Sequence, residues 1–306
     1  MSELCLVTGG AGFIGSHLVE ELNRQGRPVR VLDDFSTGLR SNLEHIKPAP
    51  ETVHADLADE SAVRKAMTGI GVVFHLGAVA SVAKSVEDPL ASHRVCCTGT
   101  VNVLDAAHRS GVRRVVFAAS SSAYGIPAGD IQTEDDPLRP LSPYAAAKLA
   151  SEFYAQAFAA CYGLETVCLR FFNIFGPRQR ADSPYSGVIA IFMDAMRQGR
   201  TPTIHGDGQQ TRDFTYVANA VQALTKAAIA PGVSGKSYNV GTGRRVSLLD
   251  LVAALNRLLG TNVVPQHGPP RPGDVRHSCA DIRRARAELG YEPSVSFDDG
   301  LKRLLA

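Results

Sequence analysis

Leu4-Cys5-Leu6-Val7-Thr8-Gly9-Gly10-Ala11-Gly12-Phe13-Ile14-Gly15-Ser16-His17-Leu18-Val19 decides the fold. An apolar strand runs into a glycine-rich turn and then into an amphipathic helix. Gly9, Gly12 and Gly15 suit, in turn, a tight bend, close backbone approach to a pyrophosphate and close packing of helix on strand. That is a dinucleotide cradle. The next strand, Val29-Arg30-Val31-Leu32, ends at Asp33, about twenty residues past the last glycines, where a carboxylate accepts hydrogen bonds from adenosine ribose hydroxyls. This favours NAD over NADP.

Outward from the cradle, strand and helix patterns alternate. Strands are expected at residues 4–8, 29–33, 51–54, 72–75, 113–119 and 165–171, with helices at 13–25, 60–68, 92–110 and 143–161. Alternation of this kind means an α/β fold of the Rossmann type, a doubly wound parallel sheet with helices on both faces. After Gly176-Pro177 the chain turns to loops rich in Gly, Pro and Arg, with helices near 187–198, 217–230, 247–259 and 281–289. The expected division is an NAD-binding domain over 1–175 and a smaller mixed α/β substrate-binding portion over 176–306, with Ser237-Tyr238-Asn239-Val240 able to return to the large sheet.

Composition narrows the function. The chain has 306 residues, 44% of them hydrophobic, enough for a substantial core, and a net charge of +2 without a polybasic stripe, so nucleic acid is not an expected partner. No run approaches the ~20 apolar residues that span a bilayer, and no secretory leader is expected. The six cysteines (Cys5, Cys96, Cys97, Cys161, Cys168, Cys279) lack Cys-x-x-Cys spacing and read as reduced, mostly buried thiols of a cytoplasmic protein. The nine histidines lack the spacing of a metal site, and no metal is expected.

In an open parallel sheet, ligands bind beyond the carboxyl ends of the strands. There the chain offers Ala55-Asp56-Leu57, suited to an adenine edge, and His75-Leu76-Gly77-Ala78, whose small residues admit the cofactor. Next comes the hydroxyl run Ser120-Ser121-Ser122, from which a hydroxyl can hydrogen-bond a reacting oxygen. In Ser142-Pro143-Tyr144-Ala145-Ala146-Ala147-Lys148, Tyr144 and Lys148 share a helix face, so the ammonium is expected to stabilise the phenolate and lower the tyrosine pKa toward neutrality, making it a general base.

With the glycine turn, Ser120, Tyr144 and Lys148 in place, the chain resembles the extended short-chain dehydrogenase/reductase family along essentially its whole length, and within it the UDP-hexose 4-epimerases. Further motifs agree. They are Leu169-Arg170-Phe171-Phe172-Asn173-Ile174-Phe175-Gly176-Pro177-Arg178-Gln179, Ser183-Pro184-Tyr185-Ser186-Gly187-Val188-Ile189, Gly206-Asp207-Gly208-Gln209-Gln210-Thr211-Arg212-Asp213-Phe214 and Arg271-Pro272-Gly273-Asp274. The resemblance implies a cofactor set that includes Phe13, Ile14, Asp34 and Phe172 beside the residues above. It places Asn173, Arg212 and Arg271 on the UDP diphosphate, Asp274 on the uridine ribose, and Val188 among the substrate contacts. Forked arginine donors suit phosphate.

The implied reaction is inversion at C4 of a UDP-hexose: Tyr144 takes the 4-hydroxyl proton while hydride leaves C4 for the nicotinamide, Ser120 bonds the same oxygen, and Lys148 also bonds the nicotinamide ribose. Relatives that dehydrate the sugar carry acids where this chain has Ser121 and Ser122, and those that decarboxylate UDP-glucuronate carry a glutamate at the latter, so epimerisation is the expected outcome. Uronate 4-epimerases share the catalytic residues, whereas residues 183–189 resemble the neutral-hexose pattern. By resemblance Ser278 sits beside the sugar C2, where a small side chain admits N-acetylated sugars, so UDP-GlcNAc/UDP-GalNAc is expected alongside UDP-Glc/UDP-Gal. Cys96 departs from the usual asparagine that bonds the cofactor side, which implies a somewhat different hold on NAD. Apolar faces on the helices near 92–110 and 143–161 are expected to pair in a homodimer, as the family commonly does. The reading from another class is an NAD-binding scaffold or sensor, against which the joint presence of Ser120, Tyr144, Lys148, Arg212 and Arg271 argues.

Overall fold

Leu4–Thr8 (β1) lies at the centre of a seven-stranded sheet in a computed structural model that describes residues 3–126, 129–180, 187–270 and 275–305. The glycine turn gives way to α1 (Phe13–Arg24), then β2 (Val29–Asp33), β3 (Glu51–His54), α2 (Glu60–Ala66) and β4 (Ile70–His75). There follow α3 (Val82–Glu87), α4 (Pro89–His93), α5 (Gly99–Arg109), β5 (Arg114–Ser120), α6 (Pro143–Tyr162) and β6 (Glu165–Phe171). Strand order is β3-β2-β1-β4-β5-β6 followed by Lys236–Val240, with every neighbouring pair parallel. The direction of winding reverses between β1 and β4, which opens a crevice at their carboxyl ends.

Alternate side chains of each strand feed opposite layers, as the two-residue period of a strand requires. Cys5, Val7, Val31 and Phe74 pack with Leu18 and Leu22 of α1, whereas Leu6, Leu32 and Val73 pack with Val63, Met67, Val103 and Leu104 beneath α2 and α5. Helix boundaries follow local chemistry. Ser142 accepts the Ala145 amide at 3.1 Å and Pro143 takes the first position of α6, while Gly163, at φ 69°, ends it in the left-handed conformation.

Beyond β6 the chain forms β7 (Ile174–Phe175), α7 (Val188–Arg197), β8 (Thr203–His205), β9 (Thr211–Arg212), β10 (Thr215–Tyr216) and α8 (Val217–Ala227). It continues through β11 (Lys236–Val240), β12 (Val246–Ser247), α9 (Leu248–Leu259), β13 (Gln266–Gly268), β14 (His277–Ser278), α10 (Arg283–Leu289) and α11 (Phe297–Lys302). Ser237–Val240 does return to the large sheet: β11 pairs with β6, and α8 packs against α1. A third cluster, including Phe175, Phe192, Phe214, Tyr216, Leu251 and Leu255, forms its own core under α7 and α9.

The helix expected over 92–110 is not uniform. Between α4 and α5 the residues Arg94–Thr98 make a single π turn around Cys96 and Cys97. The Cys96 carbonyl there accepts the Ser151 hydroxyl of α6 at 2.6 Å and also that of Thr100. Such insertions collect at functional sites, and this one faces Tyr144.

Candidate active site

At the switch point Thr8 ends β1 opposite His75, the last residue of β4. The Gly77 amide donates to Thr8 Oγ1 at 3.2 Å, Thr8 Oγ1 is 2.7 Å from His75 Nδ1, and His75 Nε2 is 2.9 Å from Thr100 Oγ1. With Thr100 donating on to the Cys96 carbonyl, every member of this chain is satisfied only by a neutral imidazole bearing its proton on Nε2. Burial accordingly drives the His75 pKa down to about 3. The chain of bonds locks the glycine turn against the Leu76-Gly77 turn so closely that a Cβ on Gly9 would stand 2.8 Å from Gly77 Cα. A Cβ on Gly15 would fall 2.1 Å from the Gly9 carbonyl oxygen.

These turns floor a cavity of about 700 Å³. Of the predicted cofactor residues, Gly9, Gly12, Phe13, Ile14, Gly15, Asp33, Asp34, Asp56, Leu57, Leu76, Gly77, Ala78, Tyr144 and Lys148 all line it. Asp33 Oδ2 accepts the Ala11 amide at 2.9 Å and Oδ1 the Phe35 amide at 2.8 Å, so the carboxylate shapes the glycine loop and keeps one acceptor position per oxygen for a ribose. A floor that admits no Cβ, the α1 N-terminus and a carboxylate at the end of β2 fit a dinucleotide. Phe172 is a correction. Its side chain is fully buried against Tyr124, and its neighbour Phe171 lines the cavity, because the alternation of β6 carries through to the residue after it.

Ser120, Tyr144 and Lys148 meet at the end of β5. The Ser120 side chain lies beside the Tyr144 phenol; the Ser120 hydroxyl accepts the Ser122 amide at 3.2 Å and faces the Ser122 hydroxyl at 2.9 Å. Lys148 is buried, donates to the Ala118 carbonyl at 2.8 Å and stands 4.7 Å from the centre of the Phe117 ring. The expected fall in the Tyr144 pKa is not found. Desolvation pushes the phenol above its ordinary value, with the nearby Cys96 adding to the rise and Ser120 opposing it, and desolvation likewise lowers Lys148. Sharing a helix face does not by itself bring the ammonium onto the phenol, because its nearest acceptor is a strand carbonyl.

The substrate residues divide. Asn173 lines the cavity at φ 36°, and its amide lies 3.4 Å from the Asp213 carbonyl oxygen. Arg212 and Ser278 are register partners on the paired strands β9 and β14 and are not among the described residues that line the cavity, with Arg212 Nη1 donating to the Thr211 carbonyl at 2.9 Å. Val188 starts α7 and packs against the third core. Arg271, Asp274 and residues 183–186 lie outside the described residues. Among the described residues no group of three or more metal-ligating side chains gathers, and no helix is long and apolar enough to cross a membrane.

Two supporting residues, Asp213 and Arg170, lie within motifs that carry the resemblance but receive no role from them. Asp213 is buried and accepts the Thr242 amide and hydroxyl, the Gly243 amide and the Ala280 amide, joining the loop after β11 to the strand beside Arg212. Arg170 and Glu152, both buried, pair at 2.6 Å, and Arg170 also donates to the Tyr124 hydroxyl at 2.8 Å, fixing the end of the serine turn. Arg170 leaves one sequence signal, a charged residue inside the apolar run 167–172.

Residues 5–241 match the NAD dependent epimerase/dehydratase family. A UDP-glucose 4-epimerase of Mycolicibacterium smegmatis is 40% identical over 97% of this chain and 96% of its own length. The Thermus thermophilus UDP-glucose 4-epimerase in complex with NAD superposes with a TM-score of 0.90 at 37% identity, covering 99% of this chain and 97% of that one. A UDP-N-acetylglucosamine 4-epimerase of Methanobrevibacter ruminantium, in complex with UDP-N-acetylmuramic acid, reaches 0.95 at 34% identity with the same coverage. With the cradle, the seven-stranded parallel sheet and the Ser120–Tyr144–Lys148 cluster in agreement, the chain belongs to the NAD-dependent epimerase/dehydratase family of extended short-chain dehydrogenases/reductases and takes NAD as its cofactor.

Proposed function

We propose that this protein inverts C4 of UDP-hexoses, interconverting UDP-Glc with UDP-Gal and UDP-GlcNAc with UDP-GalNAc through a transient 4-keto sugar. The observation that carries the reading is the junction of Ser120, Tyr144 and Lys148 on the cavity wall, with hydroxyls at Ser121 and Ser122 where dehydration would need acids. NAD, when bound, supplies the hydride acceptor and then donor. Tyr144, as phenolate, takes the 4-hydroxyl proton and later returns it; Ser120, oriented by Ser122, donates to the same oxygen. Lys148 provides the charge that makes the phenolate accessible, helped by the N-terminus of α6, where Tyr144 occupies the first turn.

Arg212 and Arg271 would hold the diphosphate, with Asn173 and Val188 beside it and Asp274 on the uridine ribose. Residues 176–306, less β11, would form the nucleotide-sugar portion. The register that sets Ser278 opposite Arg212 supports a small gate beside the sugar, open to an acetamido group. Exposed Val86, Leu90, Phe153, Tyr154 and Tyr162 on α3, α4 and α6 support a homodimer.

The test is incubation of the purified protein, without added NAD, with UDP-Glc, UDP-GlcNAc and UDP-glucuronate in turn, followed by proton NMR of the anomeric signals. Galacto-configured products from the first two are expected, and Ser278→Tyr should abolish the acetamido reaction alone. Turnover confined to UDP-glucuronate would make the protein a uronate epimerase. Silence from all three, with NAD supplied, would leave the scaffold reading.

A further inference from the structure

Arg178 lies two residues past Gly176 and carries no role in the reaction as described. Its backbone sits at φ 65°, the left-handed region that non-glycine residues seldom adopt without a reason elsewhere in the fold. The side chain crosses from the segment after β7 onto α1, the helix whose first turn completes the dinucleotide cradle. There Nη2 pairs with the Glu20 carboxylate, Nη1 lies 3.3 Å from Ser16 Oγ, and Nη2 lies 3.1 Å from His45 Nε2. Glu20 in turn lies 3.4 Å from His45, in the segment that follows β2 and Asp33. Next to this cluster His17, also on α1, meets the Pro177 carbonyl oxygen at 3.0 Å.

One guanidinium thus ties together three pieces of chain that border the adenosine half of the cavity: the cradle helix, the loop after β2 and the strand end that leads to the substrate portion. Arg178 itself lines the cavity there, as do Thr37, Leu39 and Asn42. Separation of these pieces would widen the cavity at this end. The Arg178–Glu20 pair, part-buried on the arginine side, resists that separation with charge-assisted hydrogen bonds.

We propose that Arg178 is a positioning residue for cofactor retention, a clasp onto Glu20 that closes the second half of the chain over the cradle and slows the release of NAD. The clasp acts on the cofactor whichever sugar is turned over.

The experiment measures release of NADH from the loaded protein by the decay of its bound fluorescence after addition of excess NAD, for the wild type, Arg178→Met, Glu20→Gln and the double variant, with melting temperatures recorded in parallel. Each single variant should release NADH about ten-fold faster, the size expected when one charge-assisted pair is lost. The double variant should be no faster than the quicker single, because two halves of one interaction are not additive. Wild-type release from both singles would overturn the clasp. So would fast release from Arg178→Met beside wild-type release from Glu20→Gln, which would mean that the arginine holds the cofactor directly. An additive double variant would show two separate effects and overturn it as well. Should Arg178→Met fail to fold, Glu20→Gln, which keeps the Arg178 backbone and side chain, decides alone.

Discussion

Lys148 donates from Nζ to the carbonyl oxygen of Ala118 at 2.8 Å, pinning α6 to the end of β5 within the buried wall of the cavity. The lysine is therefore a structural tie as well as a cation on the cavity wall. Desolvation acts on it and on Tyr144 in opposite senses, lowering the ammonium pKa and raising the phenol pKa. Both shifts disfavour the ammonium–phenolate pair.

Turnover should therefore climb as the pH is raised from 6, because deprotonation of Tyr144 is the step that burial opposes. Lys148→Met removes the cation that favours the phenolate, so the rising limb of the kcat/KM profile should move to higher pH, with at least a ~100-fold loss near neutrality. A limb that stays in place in this variant would belong to another group.

His75 carries a stability signature of its own. Its folded pKa of about 3 lies below the ordinary value of 6.5, so the unfolded chain takes up a proton first as the pH falls. Stability contributed by neutral His75 is complete above about pH 6.5 and is lost progressively from there toward about pH 3, at up to ~1.4 kcal/mol per pH unit. Urea midpoints at pH 7.5 and 5.5 should diverge for the wild type and diverge less for His75→Gln, which should be the less stable protein at the higher pH.

Gly15→Ala should be severe for a reason of distance alone. The new methyl carbon would stand 2.1 Å from the Gly9 carbonyl oxygen and 2.8 Å from Gly10 Cα, both backbone, so the helix and the turn must part. Loss of co-purifying NAD and destabilisation by more than ~3 kcal/mol are expected, at the upper end of overpacking costs. Absorbance of released cofactor and thermal melting read the two effects.

Glu152→Ala would strand Arg170 in the core, where the two side chains are only 1% and 4% exposed. Breaking one side of such a pair costs ~3–5 kcal/mol, because an uncompensated charge stays buried. In denaturant titrations a second change, Arg170→Leu, should recover part of that loss. Because Arg170 also holds the Tyr124 hydroxyl, the single variant should slow catalysis as well.

The local sequence determined most of the architecture. Period-two apolar runs separated by helical patterns specify a parallel doubly wound sheet, and glycines at 9, 12 and 15 admit one turn geometry, so the cradle and the residues at strand ends could be named from spacing. Ser120, Tyr144 and Lys148 were accessible for the same reason, since the end of one strand and the first turn of the next helix must converge. Long-range packing decided the rest. Whether Lys148 faces a phenol or a carbonyl and where a helix inserts a π turn depend on neighbours tens of residues away. The His75, Asp213 and Arg178 bonds join positions separated by 25 to 162 residues, and no local pattern encodes such a contact. Protonation follows the same division. Residue type sets the ordinary pKa, but burial, which only the folded chain possesses, moved Tyr144 in the direction opposite to the one its helical spacing with Lys148 suggests.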